Sequence, residues 1–294
     1  MKIVFFGTPY YALPILTELH KRFVTGPGRS PIVAVVTQSP KPVGRKQILS
    51  YSPIDKWAHD HKLPIFYSAK ELLEENIEAD FGVLASYGEI VSQEVINLFP
   101  KGILVIHPSL LPKYRGASPV TEAIKNGDST TGVTIFKMDA KLDHGQIISQ
   151  FKEDILPDDT SQTLRDRLFA RSAEVLVELI EPWQKGKITP KIQNDSEASF
   201  TKILTKQDGL IDMTRSNLVN AERFIRAMSP WPGAWTLLHL KATEGQAQVK
   251  RLKLLKSHIE NNELVLDEVQ LEGKSPVSWK QFKEAYPDFS FSSN

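Results

Sequence analysis

Two short polar segments carry residue types from which proton-transfer chemistry can be built. His107-Pro108-Ser109-Leu110-Leu111-Pro112 follows directly on the apolar run 103–106, and Lys113 and Arg115 put positive charge beside it. Further on, Leu142-Asp143-His144-Gly145 reads as a turn, with a glycine that allows a tight bend near a ligand. An imidazole moves protons near neutral pH, and a carboxylate from a second loop would orient it and favour its charged form. His107 and Asp143 are the candidates for these two roles. On the residues alone, a structural histidine closing a strand stays open beside the catalytic reading.

Composition narrows the chemistry. The 294 residues include no cysteine, which excludes disulfides, thiol nucleophiles and cysteine-ligated zinc and suits a reducing, cytoplasmic setting. The apolar run 3–6 before Gly7 is too short for a signal peptide, and no apolar stretch approaches transmembrane length, so no membrane association is expected. The Gly7 turn lacks the G-x-G-x-x-G spacing of a dinucleotide fingerprint, so NAD is not expected either. With 41% hydrophobic and 24% charged residues, the chain is long enough for one large domain and a smaller one, each with its own core. The net charge of +1 leaves a nucleic-acid partner open, because a basic surface can be local.

The elements that must position these loops follow from periodicity. Apolar runs at 2–6, 32–37, 81–85 and 103–106 read as buried strands, with helices at 10–22, 53–60 and 92–98 between them and a later strand at 132–138. Alternating strands and helices predict an α/β fold: a Rossmann-like, mostly parallel sheet with helices on both faces and ligands at the carboxyl ends of its strands. A long helix from Ser161 should bury Leu164, Leu168, Val175 and Leu179. Periodicity collapses after Lys187. We therefore expect a domain at 1–187, a linker at 188–203, and a second domain at 204–294. In the second domain a helix at 216–228 precedes strands at 234–240, 248–255, 263–266 and 268–271, with turns near Gly245, Asn261-Asn262 and Gly273-Lys274. Short strands with little helix suggest a small β-barrel of the oligonucleotide-binding (OB-like) kind.

Gly7-Thr8-Pro9, Ala85-Ser86-Tyr87-Gly88, the run from His107 through Gly116, and Met138-Asp139 with Asp143-His144-Gly145 resemble the formyltransferase superfamily that uses 10-formyltetrahydrofolate. Three further features resemble its methionyl-tRNA formyltransferase branch: Pro42-Val43-Gly44-Arg45, Gly209-Leu210-Ile211-Asp212 leading to Pro230-Trp231-Pro232-Gly233-Ala234, and Val269 through Lys274. The resemblance implies transfer of a formyl group from 10-formyltetrahydrofolate to the α-amine of methionyl-initiator-tRNA by a monomer, without metal or covalent intermediate. It implies that His107 assists proton transfer and stabilises the oxyanion, and that Asp143 holds His107. Ser109, Leu110, Leu111 and Pro112 would line the folate pocket, with the backbone near Tyr87 and Gly88 reading the pterin edge. The resemblance also makes 1–187 the catalytic domain and 204–294 the tRNA-binding domain.

One position departs from the family pattern. The asparagine expected two residues before His107 is Val105, which has no amide to offer a developing oxyanion. Loss of one such donor costs ~10²–10³ in rate, so reduced turnover is expected. Two readings compete: a folate- or tRNA-binding homologue without catalysis, and a formyltransferase for a sugar-nucleotide amine. For the tRNA, Lys41, Arg45 and Lys46 form one basic loop. Lys250 and Lys256 fall on one face of a strand by alternation, with Arg251 and Lys253 on the other. Lysines guarding a solvated strand edge explain the second group equally well. Trp231 and Trp235, beside Pro-Gly turns, read as core in preference to base-stacking platforms.

Overall fold

The computed structural model describes residues 1–26, 29–44, 46–240 and 248–292. The first apolar run forms β1 (Ile3–Gly7), buried along its whole length, as befits a parallel strand covered on both faces. In chain order follow α1 (Leu13–Phe23), β2 (Ile32–Val36), β3 (Lys41–Val43), β4 (Ile48–Ser50), α2 (Pro53–Asp60), β5 (Ile65–Phe66) and α3 (Glu71–Glu74). Next come β6 (Phe81–Ala85), α4 (Gln93–Asn97), β7 (Ile103–His107), β8 (Arg115–Gly116), α5 (Pro119–Asn126), β9 (Thr130–Lys137), β10 (Ile147–Asp154) and α6 (Ser161–Gln184). Contacts divide the chain into two units. The first comprises Met1–Arg115, Gly132–Glu153 and Arg165–Phe200, and the second Gly116–Thr131, Asp154–Leu164 and Thr201–Asn294.

The seven-stranded sheet has the order β10-β9-β7-β6-β1-β2-β5. β1 pairs in parallel with β2 and β6, β2 with β5 and β6 with β7, while β9 runs antiparallel to β7. The chain leaves β1 toward β2 and β5, then returns to β6 on the other side of β1. This reversal opens a crevice at the carboxyl ends of β1 and β6, the place where open α/β sheets bind ligands. On one face of the sheet Val4 and Phe6 share an apolar cluster with Ala34, Val36, Ile103, Val105 and Phe136, capped by Val95 and Ile96 of α4. Alternation turns Ile3 and Phe5 to the other face. α6 buries Leu164 and Leu168 as expected, but farther along it buries Ala173, Leu176, Val177 and Ile180, leaving Val175 and Leu179 half-buried. The buried stripe rotates around the helix instead of running straight along it.

Residues 188–200 fall in the first unit. The backbones of Ile147 and Lys191 exchange two hydrogen bonds of 2.8 Å, so this aperiodic stretch is held against the sheet's β10 end.

The second unit holds β12 (Ala234–Leu240), β13 (Gln248–Glu260), β14 (Glu263–Leu271), β15 (Val277–Ser278) and β16 (Ser290–Phe291), after β11 (Phe200–Thr201) and α7 (Leu218–Met228). These five strands form an antiparallel sheet in the order β15-β14-β13-β12-β16. Leu238, Leu252, Leu254 and Val269 bury one face with Ile225 of α7 and Phe282 of α8 (Trp279–Ala285). α7 starts two residues later than periodicity suggests, because the Asn217 side chain accepts from the backbone N–H groups of Val219 and Asn220 and caps it. α8, unforeseen in the sequence, begins at a capping box between Ser278 and Gln281. The two short strands expected at 263–271 are one strand, β14, and the turn expected near Gly245 lies outside the described residues. No helix among the described residues is long and apolar enough to cross a membrane.

Candidate active site

His107 is the last residue of β7, and Val105 lies on the same face of that strand by alternation. Across the sheet Val105 opposes Phe136 and His107 opposes Thr134 of β9. Both side chains are buried, Val105 at 4% exposure and His107 at 5%. His107 Nε2 lies 2.9 Å from the Tyr114 carbonyl. A carbonyl only accepts, so the proton sits on Nε2, and Nδ1 is the atom free to gain or lose one. That nitrogen faces Asp143 Oδ2 at 3.6 Å, an ion-pair distance longer than a direct hydrogen bond.

The loop after β7 is held from below. Thr134 Oγ1 donates to the Ser109 carbonyl at 2.7 Å and accepts from Leu111 N–H at 3.0 Å, while Gln150 Nε2 donates to the Leu111 carbonyl at 2.8 Å. Ser109 Oγ donates to the Lys113 carbonyl at 2.6 Å. Ser109 and Leu111 are therefore spent on shaping the loop, and Leu110 and Pro112 are its half-buried members.

Tyr87 and Gly88 stand at the crevice between β1 and β6. Thr8 Oγ1 donates to the Tyr87 carbonyl at 2.9 Å, tying the two strand ends together. The Tyr87 ring itself is core: its hydroxyl donates to Glu89 at 3.1 Å and accepts from Ala69 N–H at 3.1 Å. Burial, with the Glu89 carboxylate behind it, pushes the Tyr87 phenol well above the ordinary tyrosine range. Gly88 has φ +89°, a left-handed conformation that favours glycine, and its carbonyl accepts from Gln38 Nε2 at 3.4 Å.

Asp143 sits in a left-handed turn (φ 45°), a conformation that few side chains adopt but Asp tolerates. Two residues on, Gly145 is pressed against the Lys137 carbonyl, where a Cβ would approach to 1.8 Å. Gln193, in the stretch without periodicity, donates through Nε2 to the carbonyls of Asp143 (2.9 Å) and Gly145 (2.8 Å). Its Oε1 accepts from Arg115 Nε and Nη2 at 3.1 and 2.8 Å. Buried Arg115 also pairs with Asp195 at 2.7 Å, and His144 lies between Asp139 (2.7 Å) and Asp195 (3.3 Å). The Arg115 hydrogen bond, with the nearby His144, holds the Asp195 carboxyl below the usual carboxylate range. Nothing in the spacing of 188–203 announces Gln193, which lies between exposed Ile192 and Asn194 and whose partners are all remote in sequence.

A cavity of about 350 Å³ opens beside this network, lined by Arg115, Lys141, Leu142, His144, Asp195, Ala198 and Phe200. A larger one of about 480 Å³, lined among others by Met1, Arg29 and Pro31, lies at the amino ends of β1 and β2. Volume therefore does not mark the site; the titratable residues gather at the opposite, carboxyl ends.

Of the basic residues, Lys41 and Lys46 are exposed on the β3–β4 hairpin, and Arg45 lies outside the described residues. Lys250 and Lys256 do not share a face as alternation suggests. The β13–β14 register shifts between Leu254 and Ser257, placing Lys256 opposite Glu268 and turning Ser257 inward. Lys256 is thus exposed like Arg251 and Lys253, whereas Lys250 is half-buried. Trp231 is 55% exposed, while Trp235 is buried under the Arg251 guanidinium, 4.6 Å from the ring centroid.

An open α/β sheet with a histidine and an aspartate facing each other at its strand ends, followed by a small antiparallel sheet unit, defines a two-part α/β protein with a candidate proton-transfer pair. The chain belongs to the formyl transferase family: residues 1–180 match the formyl transferase domain, and residues 203–265 match the formyl transferase C-terminal domain. It is 41% identical over 245 residues to a methionyl-tRNA formyltransferase of Roseiflexus sp. (strain RS-1), covering 81% of this chain and 73% of that protein. A methionyl-tRNA formyltransferase of Geotalea daltonii is 32% identical over 305 residues, covering 97% of this chain and 96% of its own. The fold resembles the N-formyltransferase from Helicobacter canadensis, solved in complex with folinic acid and dTDP-3-aminofucose (TM-score 0.63, 17% identity, 95% of this chain and 98% of that one).

Proposed function

We propose that this formyltransferase moves the formyl group of 10-formyltetrahydrofolate to the α-amine of methionyl-initiator-tRNA, with turnover lowered by Val105. The observation that carries the reading is the pairing of His107 Nδ1 with Asp143 Oδ2 beside the loop of Ser109, Leu110, Leu111 and Pro112. The deprotonated amine attacks the formyl carbon to give a tetrahedral intermediate with a negative oxygen. As it collapses, the bond to folate N10 breaks, the attacking nitrogen loses a proton, N10 gains one, and tetrahydrofolate leaves. His107, with Nε2–H held by Tyr114, presents Nδ1 for proton transfer, and Asp143 faces that nitrogen. The side-chain-free backbone at Gly88 and the half-buried Leu110 and Pro112 suit a flat, hydrogen-bonding heterocycle such as a pterin.

In this reading residues 1–187 are the catalytic domain, 188–203 the connection and 204–294 the tRNA-binding domain, and the enzyme works as a cytoplasmic monomer. Lys41, Arg45, Lys46, Lys250 and Lys256 meet phosphates. Names shared with relatives at 32% and 41% identity favour the tRNA over a sugar-nucleotide amine as acceptor. The test incubates the protein with 10-formyltetrahydrofolate and either Met-tRNA or an amino-sugar nucleotide, following tetrahydrofolate release and the formylated product. Formyl-methionyl-tRNA is the expected product. Formylation of the sugar alone overturns the acceptor, and binding of both ligands without either product makes the chain a binding homologue.

A further inference from the structure

We infer that Gln193 is a positioning residue for this reaction: its side-chain amide fixes the Asp143 turn so that the Asp143 carboxylate faces His107. The inference rests on the reading of His107 and Asp143 as the reacting pair.

The amide has only one orientation open to it. Arg115 can only donate, so the oxygen of Gln193 must face it, at 3.1 and 2.8 Å. The NH₂ group is then turned toward the carbonyls of Asp143 and Gly145, at 2.9 and 2.8 Å. Gln193 is 7% exposed, so water does not compete freely for these bonds. The turn needs such a hold, because Asp143 is at φ 45° and Gly145 is packed on the Lys137 carbonyl.

The same bonds tie the turn to the histidine. Tyr114 holds His107 Nε2 through its carbonyl, and Arg115 is the next residue. Ser199 fixes this pair in turn, its Oγ accepting from Tyr114 N–H at 2.9 Å and its carbonyl from Arg115 N–H at 2.8 Å. A ring of contacts thus runs from His107 to Tyr114, Arg115, Gln193 and Asp143, and closes across 3.6 Å to His107. Gln193 is the member that joins its two halves. Such a residue acts through geometry, and small misplacements of a reacting group are costly in rate.

Two variants separate this role from packing. Gln193→Glu keeps the size and the oxygen facing Arg115 but sets an oxygen against the two turn carbonyls. Gln193→Ala removes the whole link. Each should lower kcat for 10-formyltetrahydrofolate and Met-tRNA by ~10–100-fold, with KM for the folate changed far less. In an Asp143→Asn background the same substitutions should cost no more than about twofold, because their effect passes through Asp143. Crystal structures of both variants should show the His107–Asp143 separation lengthened, a readout independent of turnover; it decides for Gln193→Glu should the alanine variant not fold. Equal losses in both backgrounds, or an unchanged separation, overturn the inference. Absence of formyl transfer by the unmodified protein would instead overturn the reading of the reaction, while the separation still decides the place of Gln193.

Discussion

His107 Nδ1 stands 3.6 Å from Asp143 Oδ2, although one residue ends β7 and the other lies in the turn between β9 and β10. The antiparallel pairing of β9 with β7 and the Gln193 bonds bring them together. Asp143→Asn keeps the shape of the side chain and removes the charge that faces the imidazole. Formyl transfer should fall by ~10²-fold or more with folate affinity nearly unchanged, as steady-state kinetics and folate titration would read. His107→Ala should abolish what remains, and it removes a buried donor from the Tyr114 carbonyl at about 1–3 kcal/mol of stability. Transfer by His107→Ala at the unmodified rate would remove the histidine from the mechanism.

Gly145 makes a separate, structural forecast. A methyl group there would meet the Lys137 carbonyl at 1.8 Å, a backbone atom that cannot rotate away. Gly145→Ala should therefore destabilise the protein by about 1–3 kcal/mol or more, seen as a lower denaturant midpoint, and shift the Asp143 turn with loss of rate. A variant as stable and active as the parent would show that the turn yields more easily than its packing implies.

Much of this was legible from the chain. Short, wholly apolar runs fixed β1, β2, β6 and β7, because a doubly covered parallel strand needs no polar face. The His107 loop stands out as a polar segment set directly against such a run, and Asp143 as a carboxylate in a turn that ends on a glycine. Gln193 did not: it lies in an aperiodic stretch, and a buried amide whose partners are remote in sequence leaves no periodic trace. The face of Lys256 was misread for a related reason. Alternation holds only while the register holds, and the irregularity between Leu254 and Ser257 resets it. α8 had a readable signal in Ser278-x-x-Gln281, whereas the β3–β4 hairpin, with Val43, Ile48 and Leu49 all exposed, offers no buried face to detect.

The basic strand yields a third test. Affinity for Met-tRNA should fall as salt rises, since phosphate contacts release counterions. Lys250→Glu with Lys256→Glu should weaken binding and reduce the salt slope by about one per lost contact, leaving folate binding intact. Lys256 opposes Glu268 across the sheet, so Lys253→Glu on the exposed side should weaken binding at least as much as Lys256→Glu. Nitrocellulose filter binding at several salt concentrations would measure this. Affinity indifferent to salt and to all three lysines would give the C-terminal sheet another purpose.

Val105 is the sharpest test of the proposed reaction. It shares the face of β7 with His107, at 4% exposure among Phe136, Leu111 and Ile103. Val105→Asn places an amide donor where the developing oxyanion needs one, with little change in size. Rate with 10-formyltetrahydrofolate and Met-tRNA should rise by ~10–10³-fold, with a smaller change in KM for either substrate, because the new bond is made mainly in the transition state. The apolar surroundings set an opposing effect in the free protein. The amide loses water on burial, and stability should fall by about 1–3 kcal/mol, to be recovered in part when ligands supply partners. Kinetics and thermal unfolding, each with and without tetrahydrofolate, would read both effects. A less stable variant with no gain in rate would mean that Val105 belongs to a remodelled pocket, and that this chain binds its ligands without transferring the formyl group.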